Sequence, residues 1–416
     1  MLKTPIARGV ALATLGAALA TPTMAQAAFV DDSKVNLELR NFYFNGDNRQ
    51  DSAPQSKAEE WGQGFILRAE SGYTEGTVGF GVDALGLLGL KLYSSEDTAG
   101  GTGLMPSKFG NEAPGDFSSL GLTAKAKISK TVLKVGTIEP KNMAIARSDS
   151  RLLPQTFKGG QIISNEIDGL TLDAGYLTEE NDRDSTNYED LKFNGKGGTA
   201  KTDKPDDFMF AGATYSFTKE LKGAYYYSNL EEVYKQHSFN LIHVLPMGED
   251  QSLKTDLRYA RSTDDGSSTV DNNAFGAMLT YSITGHSFGL GYQKMSGDTG
   301  FAYTGASTDP YLVNYVMIAA DFANADEKSW QARYDYNFAA IGLPGLTLMA
   351  RYVTGDNFGA GGDSKEWERD TDIGYVFQEG TLKNLGVKWR NGTYRSNSSR
   401  DIDQNRLIVS YTIPLM

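Results

Sequence analysis

A period of two runs through this chain almost from end to end, and few folds admit it. Val35, Leu37, Leu39 and Tyr43 alternate with Asn36, Glu38, Arg40 and Phe42. Leu253, Leu257 and Tyr259 oppose Lys254, Asp256 and Arg258, while Trp330, Ala332, Tyr334 and Tyr336 oppose Gln331, Arg333, Asp335 and Asn337. Leu385, Val387 and Trp389 alternate with Gly386, Lys388 and Arg390, and Leu407, Val409, Tyr411 and Ile413 with Arg406, Ile408, Ser410 and Thr412. Successive side chains of a strand point to opposite faces, so strict alternation is the strand signature. Roughly eighteen to twenty such segments follow one another. Each is near the length, about 9–11 residues, with which a tilted strand crosses a bilayer.

Lipid cannot satisfy an unpaired backbone N–H or C=O, so strands cross it only as a closed barrel. The two faces fit that. One carries rings near strand ends (Tyr43, Tyr334, Tyr336, Tyr352, Trp389, Tyr411), where an amphipathic side chain meets headgroups. The other repeats Arg, Lys, Asp and Asn too densely for a packed interior, but suits a wet lumen. Mean hydropathy is −0.40 although the chain holds 22 Tyr and 20 Phe. A barrel reconciles the two, because lipid-facing residues alternate with wet ones. A secreted sandwich or propeller shares this composition, but no repeat of fixed signature supports the propeller. The expected fold is all-β, a transmembrane antiparallel β-barrel of about 18 strands with inward-folded constriction loops.

Residues 1–27 read as a cleaved export signal: Lys3 and Arg8, a small apolar run from Gly9 to Ala20, then Ala25-Gln26-Ala27 as the cleavage site. Residues 28–416 are then one barrel in the outer membrane. With no cysteine there is no disulfide framework, and a net charge of −12 argues against a nucleic-acid partner.

Connections alternate between short and long. Glu179 to Pro205, Thr263 to Asn273 and Gly355 to Asp370 read as external polar loops. Glu139 to Gly160 mixes Arg147 and Arg151 with Met143, Ile145, Leu152, Leu153 and Phe157, which suits a loop folded into the lumen; Ser296 to Pro310, with Phe301 and Tyr303, is similar.

Enzyme chemistry has little to stand on. There are three histidines (His237, His243, His286) and no zincin, nucleophile-elbow or phosphate-loop motif. No catalytic residue, metal or cofactor is expected. Basic residues recur instead on the inward face: Arg40, Lys125, Lys127, Lys134, Lys254, Arg258, Arg333, Arg351, Lys388, Arg390 and Arg406. Arg258 and Arg333 have Asp256 and Asp335 two residues away on the same face, whereas Lys125-x-Lys127 and Lys388-x-Arg390 have no acid beside them. Closure makes the first and last strands neighbours, so Lys388, Arg390, Arg406 and Arg40, joined by Arg151 from the inward loop, form a candidate anion track. A guanidinium adds bidentate geometry for a carboxylate that lysine lacks.

Ordered matches carry a resemblance. They include Phe29-Val-Asp-Asp-Ser-Lys34, Leu39-Arg-Asn-Phe-Tyr-Phe44, Glu60-Trp-Gly-Gln-Gly-Phe65 and Arg151-Leu-Leu-Pro-Gln-Thr-Phe157. Others are Ser164-Asn-Glu-Ile-Asp-Gly-Leu170, Gly291-Tyr-Gln-Lys-Met-Ser-Gly-Asp298, Lys328-Ser-Trp-Gln-Ala-Arg-Tyr-Asp335 and Arg406-Leu-Ile-Val-Ser-Tyr411. Along essentially its whole mature length the chain resembles the OprD-type porins, also called outer-membrane carboxylate channels. The resemblance implies a barrel of about eighteen strands, monomeric or weakly self-associating, set in outer-membrane lipid and lipopolysaccharide and handled in biogenesis by periplasmic and barrel-assembly machinery. It implies ladder positions at Arg40, Arg151, Lys388, Arg390 and Arg406, and an opposing pocket at Tyr303 and Asp321. By alternation Asp321 shares a face with Tyr315, Met317 and Ala319.

The chain departs from the family in places. Asn45-Gly46-Asp47 stands where the family often has Asn-Arg-Asp, Ala319 replaces a second pocket tyrosine, and the last residue is Met416 rather than an aromatic. One branch of the family takes basic amino acids, the other cyclic or aromatic carboxylates. The compact loop from Gly297 to Pro310 and the alanine at 319 resemble the second branch more. A non-specific porin and a barrel enzyme or adhesin are the alternatives.

Overall fold

The computed structural model describes residues 29–416 apart from 50–52, 54, 197–204, 206, 267 and 319–320; the expected export signal, residues 1–27, lies outside the described residues. Among the described residues there are eighteen strands. They are β1 Lys34–Asn48, β2 Lys57–Glu70, β3 Gly79–Tyr93, β4 Asp116–Ile128, β5 Thr131–Ile138 and β6 Thr156–Ser164. Next come β7 Leu170–Asn181, β8 Phe208–Ser216, β9 Leu221–Leu230, β10 Tyr234–Pro246, β11 Gln251–Asp264 and β12 Asp271–Ile283. The last six are β13 His286–Ser296, β14 Lys328–Asn337, β15 Leu346–Phe358, β16 Ser364–Val376, β17 Gly386–Ser396 and β18 Ile402–Pro414. Each pairs antiparallel with its neighbour in the chain, and β1 pairs with β18 from Asn36 against Pro414 to Asn48 against Ile402. The sheet has no open edge, as a lipid-embedded sheet requires.

Alternation sorts the wall as the sequence leads one to expect. Phe80, Leu120, Leu122, Phe288, Leu290 and Trp330 point outward and stay exposed, the place of a lipid-facing band. The inward positions are polar over much of the wall, but toward the long-loop end they turn apolar. Phe42, Phe44, Ile66, Leu85, Leu87 and Phe117 point into the barrel and are buried. Residues 94–115 supply Leu104 and Met105 to cover them, and residues 139–155 supply Leu152 and Leu153. Burying each such side chain is worth about 1.5–3 kcal/mol, enough to hold both loops inside the barrel. The Glu60-Trp-Gly-Gln-Gly-Phe65 stretch shows how. A Cβ at Gly62 would fall 2.6 Å from Leu152 Cδ2 and one at Gly64 2.9 Å from Leu152 O, so glycine alone admits the loop. Fully buried Glu60 accepts from the Ser94 hydroxyl at 3.2 Å and from the Thr102 hydroxyl.

The structure corrects several expected connections. Residues 182–196 do not stay outside as a polar loop: Leu191 is buried in the lumen with Phe157, Phe208 and Tyr234, and Phe193 packs on that cluster. Gly355 to Asp370 is mostly strand, with β15 and β16 separated by a short turn, and β11 and β12 take the two ends of Thr263 to Asn273, leaving residues 265–270 as the connection. The inward loop beginning at Ser296 runs on past Pro310 to Glu327. Residues 94–115 are a further inward loop that alternation alone does not reveal.

Candidate functional site

The barrel narrows where the loop 297–327 crosses the lumen, and the wall holds that loop by its backbone. Gln293 on β13 donates to the carbonyls of Asp321 at 2.9 Å and Phe322 at 3.0 Å, and accepts from Asn314 N at 3.1 Å. Gln331 on β14 donates to Val313 O at 2.9 Å. Arg351 on β15 donates to Tyr315 O. Glu368 on β16 accepts from Met317 N at 2.9 Å and Ile318 N at 2.8 Å, and Arg406 on β18 donates to Met317 O at 2.8 Å. Met317 and Ile318 lie over Gly392, where a Cβ would meet Met317 Cε at 2.4 Å. Loops also hold one another. Gln155 accepts from Ala306 N at 3.0 Å and donates to Glu180 and Asp182, while the Tyr311 hydroxyl donates to Ala144 O.

This segment overturns one sequence expectation. Tyr315 to Ile318 forms no strand, and Asp321 stands at φ +64° and Phe322 at φ +53°, so no strand alternation places Asp321 beside Tyr315 and Met317. Both line the cavity with Asp321 because the loop folds back, and Ala319 lies outside the described residues.

The cavity beside the loop has a volume of about 440 Å³, and guanidinium groups dominate it. Arg151, Arg183, Arg333, Arg351, Arg390 and Arg406 line it, with Asp309, Asp321 and Asp372 as the acids and Val316, Met317, Ile318 and Met349 as an apolar strip. Asp321 accepts from the Thr308 hydroxyl and, at 3.2 Å, from Val316 N. Burial outweighs those hydrogen bonds and pushes its carboxyl up to about 6. A second cavity of about 520 Å³ shares Asp309, Tyr315, Arg333 and Arg351 and continues toward the short-turn end past Arg258 and Lys254.

The residues singled out in the sequence do not form one free cluster. Closure puts Arg40 and Arg406 on one wall across the β1–β18 seam, but four residues apart in register, with Arg40 opposite Ser410 and Arg406 opposite Phe44, and Arg40 is committed. It is buried, pairs with Glu38 at 2.8 Å and Asp149 at 2.7 Å, and donates to Arg151 O at 2.9 Å. Arg390 is not free of acid either: Asp372 faces it across the β16–β17 register at 2.9 Å. Lys125 likewise meets Asp83 of β3 at 2.5 Å. Cross-strand partners of this kind are invisible to a reading along one strand. The in-strand pairs do form, Arg258 with Asp256 at 3.0 Å and Arg333 with Asp335 at 2.7 Å.

Arg151 and Arg406 have no carboxylate within 4.0 Å among the described residues. Arg151 donates to Thr102 O at 2.7 Å and Ser150 O at 3.0 Å; Arg406, 1% exposed, donates to Gln404 as well as the loop. Lys388 stands exposed in the lumen one inward position closer to the short-turn end than Arg390. Tyr303 packs against Phe301, ring centroids 6.2 Å apart, and its carbonyl accepts from Asn194 N at 2.9 Å, so it braces the loop pair behind the cavity. Arg183 escaped the sequence reading because it sits in a stretch rich in Asp, Asn and Glu that looks external. Its only early signal is the apolar pair Leu191 and Phe193 eight to ten residues on.

Comparison with known proteins agrees with this architecture. Residues 27–415 match the model of the outer membrane porin, OprD family. The chain is 39% identical to the porin-like protein GalP of Pseudomonas putida, over 97% of each chain. It superposes on the crystal structure of Pseudomonas aeruginosa OpdQ with a TM-score of 0.86 and 58% identity, covering 94% of this chain and 100% of that one. A BenF-like porin from Pseudomonas fluorescens Pf-5 gives a TM-score of 0.88 at 42% identity, covering 93% and 100%. A closed eighteen-strand barrel, narrowed by its own loops and matched along nearly its whole length, is a channel and not an enzyme: the chain belongs to the OprD family of outer-membrane porins.

Proposed function

We propose that this porin is a selective channel for passive diffusion of small carboxylates, and that it favours cyclic and aromatic carboxylates over basic amino acids. One observation carries the reading. In the constriction, guanidinium groups without a carboxylate of their own, Arg151 and Arg406, face the apolar strip of Val316, Met317, Ile318 and Met349. A benzoate-like solute has the matching halves: an anionic group for the arginines and a ring for the strip. An ion pair at about 4 Å is worth ~1 kcal/mol in bulk water and ~4 kcal/mol at an effective dielectric of 20. A site near millimolar affinity, about −4 kcal/mol, guides a solute without trapping it. Channels of this kind need several weak rungs; Lys388 and, beside their own acid partners, Arg390 and Arg40 extend the positive wall along β17 and β1, with Asp321 and Tyr303 on the opposing loop.

The same reading has residues 1–27 removed on export, a barrel that works as a monomer or weak oligomer in lipid and lipopolysaccharide, and assembly by the periplasmic and barrel-insertion machinery. Uptake into proteoliposomes of benzoate, arginine and an uncharged sugar of similar size tests it. Benzoate entering well ahead of both is the expected result. Arginine ahead moves the protein to the basic amino acid branch, and equal rates make it a general pore.

A further inference from the structure

We propose that Arg183 and Arg151 together form a receiving site for a second anionic group, so that the preferred solutes are small dicarboxylates; the inference rests on the carboxylate reading above. The arginines around the constriction cavity are only partly matched by acids. Of the six arginines that line it, Arg333, Arg351 and Arg390 each have a wall aspartate as partner: Asp335, Asp370 and Asp372. Arg151, Arg183 and Arg406 have none within 4.0 Å among the described residues. The remaining acids on the cavity do not make up the difference. Asp321 is held by Thr308 and Val316, and Asp309 lies 3.9 Å from Lys141. A monocarboxylate answers one of three uncompensated charges; a dicarboxylate answers two.

Geometry places the second group. Arg183 donates from one nitrogen, Nη1, to the hydroxyls of Ser148 and Ser150, each at 2.9 Å. Arg151 donates to Ser150 Oγ at 3.2 Å and to the two carbonyls already described. Ser150 therefore ties the two guanidinium groups to one anchor. Both also converge on Gly103, where a Cβ would lie 3.6 Å from Arg183 Nη2 and 3.7 Å from Arg151 Nε. Neutral oxygens orient these cations, Asp184 answers their charge only from beyond 4.0 Å, its own charged form disfavoured by burial, and both side chains are only half-buried, so a solute can reach them. Burial, then the charges of Arg406 and Arg183, disfavour the cation at Arg151, a cost that a bound anion relieves. Arg406 stands beside this pair, its Cζ 5.3 Å from the Phe44 ring centroid against 5.7 Å for Arg151, and the positive wall of Arg390 and Lys388 beyond it is left for the first carboxylate.

The test compares benzoate with phthalate, which adds a carboxylate to the same ring, in proteoliposomes of wild type, Arg183→Gln and Arg183→Lys, with folding checked by the heat-dependent shift in gel mobility. Phthalate should enter faster than benzoate in wild type. Arg183→Gln should cut that preference about fivefold, the worth of one exposed charge pair, phthalate uptake falling more than benzoate uptake, and Arg183→Lys should retain most of the preference. Equal loss of both solutes in a folded Arg183→Gln, or no phthalate preference in wild type while benzoate still outpaces sugar, overturns the dicarboxylate site and leaves the carboxylate channel standing. Benzoate and phthalate both no faster than sugar overturns the two readings together.

Discussion

Replacing Glu368 by alanine should widen the channel. Fully buried on β16, Glu368 accepts from two consecutive backbone N–H groups of the constriction loop, at 2.9 Å from Met317 and 2.8 Å from Ile318. Alanine leaves both donors without that acceptor. A buried donor stranded in this way costs about 1–3 kcal/mol. Water admitted from the lumen recovers part of it, so a net loss of ~2 kcal/mol for the pair is the reasoned figure. That shifts the balance between docked and undocked loop roughly thirtyfold. Arg406 still holds Met317 O, which limits the change to local release of the loop rather than collapse of the barrel. Glu368→Gln keeps an oxygen acceptor but loses the charge, and should fall between the two. Single-channel recording in planar bilayers reads this directly: Glu368→Ala should show higher and noisier conductance with thermal unfolding of the barrel little changed. Conductance and noise equal to wild type would show that the wall does not set the constriction through this carboxylate.

Other outcomes follow from the same contacts. Arg390→Ala removes a cation and also exposes Asp372, so benzoate uptake should fall several-fold, about 1–2 kcal/mol in the pair energy; adding Asp372→Asn should restore much of it, whereas a simple loss of folding would not be rescued. Glu327, at the end of the constriction loop, lies buried near Glu366, with the Asn324 side-chain amide 2.8 Å from one carboxylate and 3.4 Å from the other. Burial, then the charge of Glu366, raises Glu327 from 4.5 to about 9, so the folded protein keeps a proton that the unfolded chain releases. Stability should therefore fall as pH rises between those two values, and a wild-type minus Glu327→Gln difference in melting temperature that is flat across that window would contradict it. Gly136→Ala should destabilise the β4–β5 pairing by about 1–3 kcal/mol or more, since φ is +130° and a Cβ would stand 2.1 Å from Leu122 O; urea or heat unfolding of the purified barrel measures it.

What could be read from the sequence follows what alternation encodes. A period of two reports which face each strand residue takes, so the barrel, the outward rings and same-strand pairs such as Arg258 with Asp256 were legible. Register is not encoded along a single strand. The partners of Lys125 and Arg390 therefore stayed hidden until Asp83 and Asp372 came opposite them. Loops that fold inward carry only sparse apolar anchors. In the stretch from Glu139 they are dense enough to notice, but Leu191 and Phe193 are diluted among Asp and Asn, and Leu104 and Met105 sit among glycines. The alternation from Tyr315 to Asp321 misled for a complementary reason: wall side chains satisfy that backbone, so it need not pair as a strand.

The most direct measurement is the zero-current potential across a bilayer holding the purified porin under a gradient of sodium benzoate. Arginines without carboxylate partners at the narrowest point predict a potential on the benzoate side, reduced by Arg151→Ala. A sodium-selective potential, or one that Arg151→Ala leaves unchanged, would contradict the account.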